Sequence, residues 1–175
     1  MTRWLMARRW RRSPADGADR RWLAVDPERF SAGLVSLGPV LCLWADGWGS
    51  TPAAAPDLHA LARPSCLCHT CAVTPDGPRE SISLCDDAGI ARVRLHLLPD
   101  TDYLAWDALV ADARDLPAPD ATPAGRVDRA RRLRFVTQRL GPCELLCVRA
   151  AGAASALSWR TAQQLAQAEG VRLSA

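Results

Sequence analysis

The clearest alternation of apolar and polar residues runs through residues 90–98 of the chain. One set of positions is apolar, namely Ala91, Val93, Leu95 and Leu97. The positions between them are polar, namely Arg92, Arg94 and His96. Successive side chains of a β-strand point to opposite faces of a sheet. The pattern therefore predicts a strand whose two arginines and one histidine project from the side opposite the core.

Further elements follow from the spacing of apolar residues and from turn and cap residues. Four more segments are short, apolar and bounded by turn residues, which predicts strands over 40–44, 66–73, 80–85 and 143–148. Helices are predicted to begin at Asp26, at Asp100 or Thr101, and at Ser158. The arginine-rich segment 126–139 is predicted to be helical or mixed. These elements together predict an α+β fold, an antiparallel β-sheet with helices packed on one face.

The 175 residues suffice for one domain with its own core. Residues 1–21 are rich in arginine and show no apolar period, so we expect a basic, flexible arm there. Residues 22–175 are predicted to form a single α+β domain. A proline-rich linker, 116–125, lies inside that domain.

Charge and composition narrow the range of partners. The formal net charge of +3 is small for a nucleic-acid-binding protein, which usually carries a concentrated basic stripe. No run of about 18 apolar residues occurs, so membrane insertion is not expected. No apolar stretch follows the basic N-terminus, so no export signal is predicted. We therefore expect the chain in the cytoplasm, with its seven cysteines as reduced thiols.

A group of metal-ligand residues, Cys66, Cys68, His69 and Cys71, falls within six positions. Structural zinc needs four ligands around one ion, and the proteins that bind it usually supply two Cys-x2-Cys knuckles. On a strand, Cys66 and Cys68 would face one side, whereas His69 and Cys71 would face the other. The pattern therefore favours buried or half-buried thiols over a zinc site.

Several motifs in a fixed order resemble one family. These are LGPVLCL at 37–43, HTCAV at 69–73, SISLCDDAGIARVRLHL at 81–97, and TD followed by AWDALV at 101–110. In this order they resemble the bacterial cytoplasmic haemin-transport and haemin-degrading proteins. The resemblance covers roughly residues 25–110 and corresponds to one half of a two-half protein. The segment that holds the family's axial histidine has no counterpart here.

The resemblance implies an α+β fold and the binding of b-type haem during iron acquisition, either to carry haem or to support its breakdown. A haem site needs an apolar slot, cations for two propionates and an axial donor. Arg92, Arg94 and His96 are the residues expected to bind the cofactor, and His69 and His59 are candidate axial ligands. Cysteine and Tyr103 remain open as axial ligands.

The partners implied by the resemblance are haem itself and haem-uptake or haem-degrading proteins, and a half-length chain could pair with itself as a homodimer. A carrier is favoured over an enzyme. The alternative is a non-enzymatic interaction or regulatory protein that keeps the fold and has lost haem, which the missing ligand segment favours.

Overall fold

The computed structural model describes residues 18–45, 64, 66–75, 77–86, 89–118 and 126–174. Within these ranges the strands are β1 Ala18–Ala24, β2 Val40–Ala45, β3 Cys66–Thr74, β4 Gly77–Cys85, β5 Ala91–His96, β6 Arg114–Leu116, β7 Val127–Leu140, β8 Cys143–Ala150 and β9 Leu173–Ser174. The helices are α1 Pro27–Leu34, α2 Tyr103–Ala111 and α3 Ala156–Ala168, and a 3-10 turn, Val35–Leu37, extends α1.

All of these strands belong to one sheet, in the order β6-β1-β3-β4-β5-β2-β7-β8. Neighbours along that order are antiparallel, and β9 pairs with β7 in parallel. The predicted α+β class with an antiparallel sheet is confirmed. No helix in the described residues is long and apolar enough to cross a membrane.

The main core lies on one side of the sheet, which we call the first face. Leu67, Ile82 and Leu95 on three adjacent strands pack there with residues of α1 and α2, such as Phe30 and Trp106. These side chains are almost completely removed from water, so their burial supplies most of the hydrophobic stabilisation. The first face therefore carries two helices, as the sequence predicts.

The opposite side, the second face, is covered by the third helix only in part. Leu41 and Leu43 of β2 form a smaller cluster there with Ala162 and Ala166 of α3. The small alanines allow the helix to approach the sheet closely. This cluster lies over β2 and β7. Helices therefore pack on both faces of the sheet, whereas the sequence predicts them on one face only.

Two predicted helix starts are wrong by a few residues. Asp102, rather than Asp100 or Thr101, caps α2 by accepting a hydrogen bond from the Ala105 amide at 3.0 Å. Ser155, rather than Ser158, caps α3. The misassigned polar residues have tertiary partners instead, since the Asp100 carboxylate accepts from the Ser155 amide at 2.8 Å.

The prediction that segment 126–139 is helical or mixed is wrong, because β7, Val127–Leu140, takes up nearly all of it. Arginine favours helices in isolation, but β7 pairs with β2 on one side and with β8 and β9 on the other. Together these ladders extend from Val127 to Leu140, and they override local propensity. Similarly, β1 begins at Ala18, so the last four residues assigned to the arm, 18–21, belong to the sheet. The prolines at 119 and 123 of the predicted linker lie outside the described residues.

Candidate functional site

Pairing registers place two rows of side chains, one polar and one mixed, across the part of the second face that α3 does not cover. In one row Arg20, Thr70, Ser81 and His96 are successive cross-strand partners. In the next row Trp22, Cys68, Ser83 and Arg94 are successive partners. Directly opposed residues of an antiparallel pair share one face of the sheet. Hydroxyl groups therefore lie between guanidinium groups that come from β1 and β5.

Arg94 lies on the second face as predicted and has two partners there. Its Nε donates to Ser83 Oγ at 3.3 Å, and its Nη1 donates to Glu169 Oε1 at 2.6 Å. Glu169 follows the last turn of α3, where the helix dipole disfavours a negative charge. The Arg94 guanidinium offsets that repulsion and connects the end of α3 to the sheet.

His96 also lies on the second face, where it is buried with only 8% of its surface exposed. Neither of its ring nitrogens has a hydrogen-bond partner among the residues that the structure describes. Burial, together with the smaller effect of the positive charges of Arg94 and Arg79, lowers the pKa of His96 to about 3. The imidazole is therefore neutral at physiological pH, which is the form that binds metal ions.

Arg92 is separated from this pair by a β-bulge. Leu84 pairs with Val93 and Cys85 pairs with Ala91, which leaves Arg92 as the extra residue of β5. Its guanidinium binds the carboxylate of Asp86 at 2.7 Å. The bulge also places Ala91 beside Trp22, Cys68 and Cys85 on the second face, so the predicted alternation is wrong at that position.

A cavity of about 190 Å³ opens on the second face between these rows. Its lining includes the guanidinium groups of Arg20 and Arg94 and the hydroxyl groups of Thr70, Ser81 and Ser83. Cation and hydroxyl donors in this arrangement suit a carboxylate or another oxyanion. The cavity is smaller than the 300–1,000 Å³ that is typical of pockets enclosing a whole organic ligand.

His69 lies on the first face, so the sheet separates it from His96. Its Nε2 is 3.3 Å from Glu80 Oε2, and the indole nitrogen of Trp106 donates to the same oxygen at 3.2 Å. The hydrogen bond with His69 lowers the pKa of Glu80 below its usual value, although partial burial opposes this. His69 therefore has a structural partner, and it is not brought together with Arg92, Arg94 or His96. His59 lies outside the described residues.

The cysteine group is divided by the sheet as its strand pattern predicts. Cys66 and Cys68 face Trp22 and Cys85 on the second face, whereas Cys71 pairs with Glu80 next to His69 on β3. Desolvation raises the pKa of Cys66, Cys68 and Cys71. No group of three or more potential metal ligands that could hold an ion occurs within the described ranges.

A larger cavity of about 440 Å³ lies between α1 and α2, beside Phe30 and Leu109. An ion pair between Arg29 and Asp112 connects the two helices beside it. None of the predicted site residues that the structure describes lines this cavity. It therefore offers apolar space without the imidazole and guanidinium groups that the sequence singled out.

No protein-family model matches the chain, and no curated protein matches it significantly. Among solved structures, the haem-degrading enzyme ChuS of Escherichia coli O157:H7 matches with 23% identity and a TM-score of 0.43, over 63% of this chain and 39% of that one. Holo-PhuS, a haem-binding protein from Pseudomonas aeruginosa, matches with 20% identity and a TM-score of 0.41, over 61% and 39%. A structure of ChuS described as an E. coli haem oxygenase matches with 21% identity and a TM-score of 0.41. This match covers 63% of this chain and 39% of that one.

The chain thus spans about two fifths of the length of each of these structures. They are proteins of the kind that the sequence resemblance names. They are similar to this chain in fold.

Sequence reasoning missed several residues of the second face. Ser81 and Ser83 alternate with Ile82 and Leu84 in β4, a signal for a hydroxyl-bearing face that is visible in the sequence. Arg20 had no such signal, because ADRRWLA does not alternate cleanly. Glu169 is distant in sequence from Arg94, so only the folded chain brings them together.

Proposed function

We propose that this chain binds b-type haem on the second face of its sheet and carries it inside the cell. Haem offers an iron that accepts an axial nitrogen and two propionates that accept cations. The observation that carries the proposal is His96, a buried neutral imidazole without a partner among the described residues, two positions from Arg94 on the same strand. The sequence resemblance over residues 25–110 supports the same ligand.

His96 fits the role of axial donor better than His69 does. An unpaired buried nitrogen costs free energy, and coordination of a metal would remove that cost. His69 would have to give up its contact with Glu80 before it could bind iron. Burial and the nearby arginines keep His96 unprotonated, so no proton has to be released when a metal binds.

Arg94 and Arg20 would hold the propionates. Charge-assisted hydrogen bonds from guanidinium to carboxylate are among the stronger polar contacts in proteins. Ser81, Ser83 and Thr70 add hydroxyl donors between the two arginines. The described cavity supplies donors and cations but does not by itself enclose a macrocycle. We expect the carrier to deliver haem to haem-uptake or haem-degrading proteins.

A second candidate, an interaction protein that has lost haem, is favoured by the internal ion pairs. Arg94 is already bonded to Glu169, and Arg92 to Asp86. A propionate would have to compete with these carboxylates. A protein of this second kind would use the same contacts only to stabilise its fold.

The test is a titration of purified protein with haemin, followed by absorbance. Binding predicts a red-shifted, sharpened Soret band that saturates at one haem per chain. His96→Ala should move the Soret maximum and weaken binding, whereas His69→Ala, the matched control on the first face, should leave the band where it is. Circular dichroism of both variants checks that they are folded.

Two results would count against the proposal. If the wild-type protein shows no saturable band, the haem-free interaction protein becomes the better description. If the band saturates but His96→Ala keeps its position and affinity, haem binds elsewhere and the second-face site is wrong.

A further inference from the structure

Two cysteines that the proposed function does not use lie directly opposite each other in the sheet. Cys66, at the start of β3, is the cross-strand partner of Cys85, at the end of β4. Directly opposed residues of an antiparallel pair have Cα atoms about 4.5–5.5 Å apart, within the 4.4–6.8 Å that a disulfide spans. The Cys85 thiol donates to the Ser83 carbonyl oxygen at 4.0 Å, and Cys66 packs against the cluster that contains Cys85. The pair can therefore be bridged without a change of register.

The other cysteines lack such a partner within the described part of the chain. Cys42 is opposite Leu95 and Arg131, Cys68 is opposite Ser83, and Cys71 is opposite Glu80 and Asp19. Cys143 and Cys147 are four residues apart on β8, which places them about 13 Å from each other along an extended strand. Cys66 and Cys85 are thus the one directly opposed thiol pair among the described residues.

We propose that Cys66 and Cys85 form a reversible redox site that hydroperoxides convert to an intramolecular disulfide. Cys66 is half-buried, whereas Cys85 is buried, so an oxidant reaches Cys66 first. The Cys66 thiolate attacks one peroxide oxygen, the O–O bond breaks, and the product is a Cys66 sulfenic acid with water or an alcohol as the reduced by-product. The Cys85 sulfur then attacks the Cys66 sulfur, the S–O bond breaks, and water leaves with the Cys85 proton.

The difference in burial between the two thiols sets their roles. Cys66 is the more exposed sulfur, which makes it the attacking one, whereas the buried Cys85, whose thiol donates to the Ser83 carbonyl oxygen, is the resolving one. Burial nevertheless raises the pKa of Cys66 above its ordinary value, and the nearby Asp86 carboxylate acts in the same direction. The thiolate is therefore scarce near neutral pH, and we expect the oxidation rate to increase as the pH is raised.

The site adjoins the second-face cavity, because Cys85 is part of the cavity lining. A bridge would tie the first residue of β3 to the last residue of β4 beside the bulge, and it would constrain the unfolded chain. The inference does not depend on haem binding, since it rests on the strand register and on the burial of the two thiols.

The experiment uses the full chain with Cys143→Ser and Cys147→Ser, which removes the two thiols of the edge strand β8 and limits cross-linking between molecules. The reduced protein is treated with hydrogen peroxide, remaining thiols are alkylated, and peptides are mapped by mass spectrometry. We expect a peptide that links Cys66 to Cys85, a loss of two thiols, and full recovery with dithiothreitol. In the same background, Cys68→Ser is the matched control and should give the same cross-link.

Cys85→Ser supplies a second, positive readout, because the Cys66 sulfenic acid then has no resolving thiol. A sulfenic-acid trap such as dimedone should label Cys66 severalfold more in this variant than in its parent. A Cys66–Cys68 bridge, or Cys66 oxidised alone while Cys85 stays a free thiol, would overturn the proposal. These outcomes are read from peptides, so they are independent of the haemin titration.

Discussion

His69 and His96 lie on opposite faces of one sheet, and their surroundings differ as the two faces differ. His69 is buried on the first face, where Glu80 and Trp106 form a hydrogen-bonded group under α2. His96 is buried on the second face beside Arg94, with no partner for either nitrogen in the described residues. The first face gives His69 a carboxylate partner, whereas the second leaves a neutral imidazole beside Arg94. The comparison separates a structural histidine from a ligand-binding candidate.

Removing Trp106 should produce the largest effect, because its indole is almost completely buried in the main core on the first face. Trp106→Ala is expected to lower the free energy of unfolding by about 3–5 kcal/mol, since it opens a cavity and removes a partner of Glu80. Ser83→Ala on the second face should cost about 1 kcal/mol or less. Urea unfolding of both variants measures the difference. Equal losses would show that the two faces contribute alike to stability.

Lowering the pH should decrease the free energy of unfolding because of His96. Its pKa is about 3 when folded and about 6.5 when unfolded, so only the unfolded chain takes up this proton between those values. Stability is therefore kept above about pH 6.5 and decreases as the pH falls towards 3, by up to about 1.4 kcal/mol per pH unit. His96→Gln should flatten this slope between pH 7 and pH 5 in denaturant melts. An unchanged slope in His96→Gln would contradict the neutral, buried imidazole.

Arg94 and Arg92 test whether the cation beside His96 matters for the ligand. Arg94→Ala should weaken haemin binding about tenfold or more, because a charge-assisted bond contributes roughly 1.5–3 kcal/mol. Arg92 is engaged by Asp86 at the bulge, so Arg92→Ala should change the affinity less. Both should leave the Soret maximum in place, since neither side chain is proposed to bind iron. Similar losses of haemin affinity in the two variants would contradict the different roles of Arg94 and Arg92.

The ion pair between Arg94 and Glu169 should give the smallest effect. If Glu169 competes with a propionate, Glu169→Gln is expected to strengthen haemin binding by a factor of up to about five. A factor of about five in affinity corresponds to roughly 1 kcal/mol, which is the upper end of the free energy that a partly exposed ion pair contributes. The gain in affinity should be smaller at high salt, because salt screens the ion pair. Titrations at low and high ionic strength measure it. Weaker binding in this variant would mean that Glu169 positions Arg94 for the ligand.

Local pattern alone determined much of the sheet. Alternation identified β5 and its polar face, and turn residues bounded the neighbouring strands, because a strand with one buried face must repeat with a period of two. The pattern also separated Cys66 and Cys68 from His69 and Cys71. These features depend on residues close in sequence, so no knowledge of the fold was needed.

Tertiary structure decided the features that depend on distant partners. β7 is a strand because β2, β8 and β9 pair with it, despite arginines that favour a helix. Glu80 makes His69 a structural residue, Glu169 neutralises Arg94, and the absence of any described partner sets His96 apart. Hydrogen bonds and ion pairs act over a few ångströms in space, whereas these residues are separated by up to 75 positions along the chain. The sequence therefore named the imidazole and guanidinium groups, and only folding assigned each of them its neighbours.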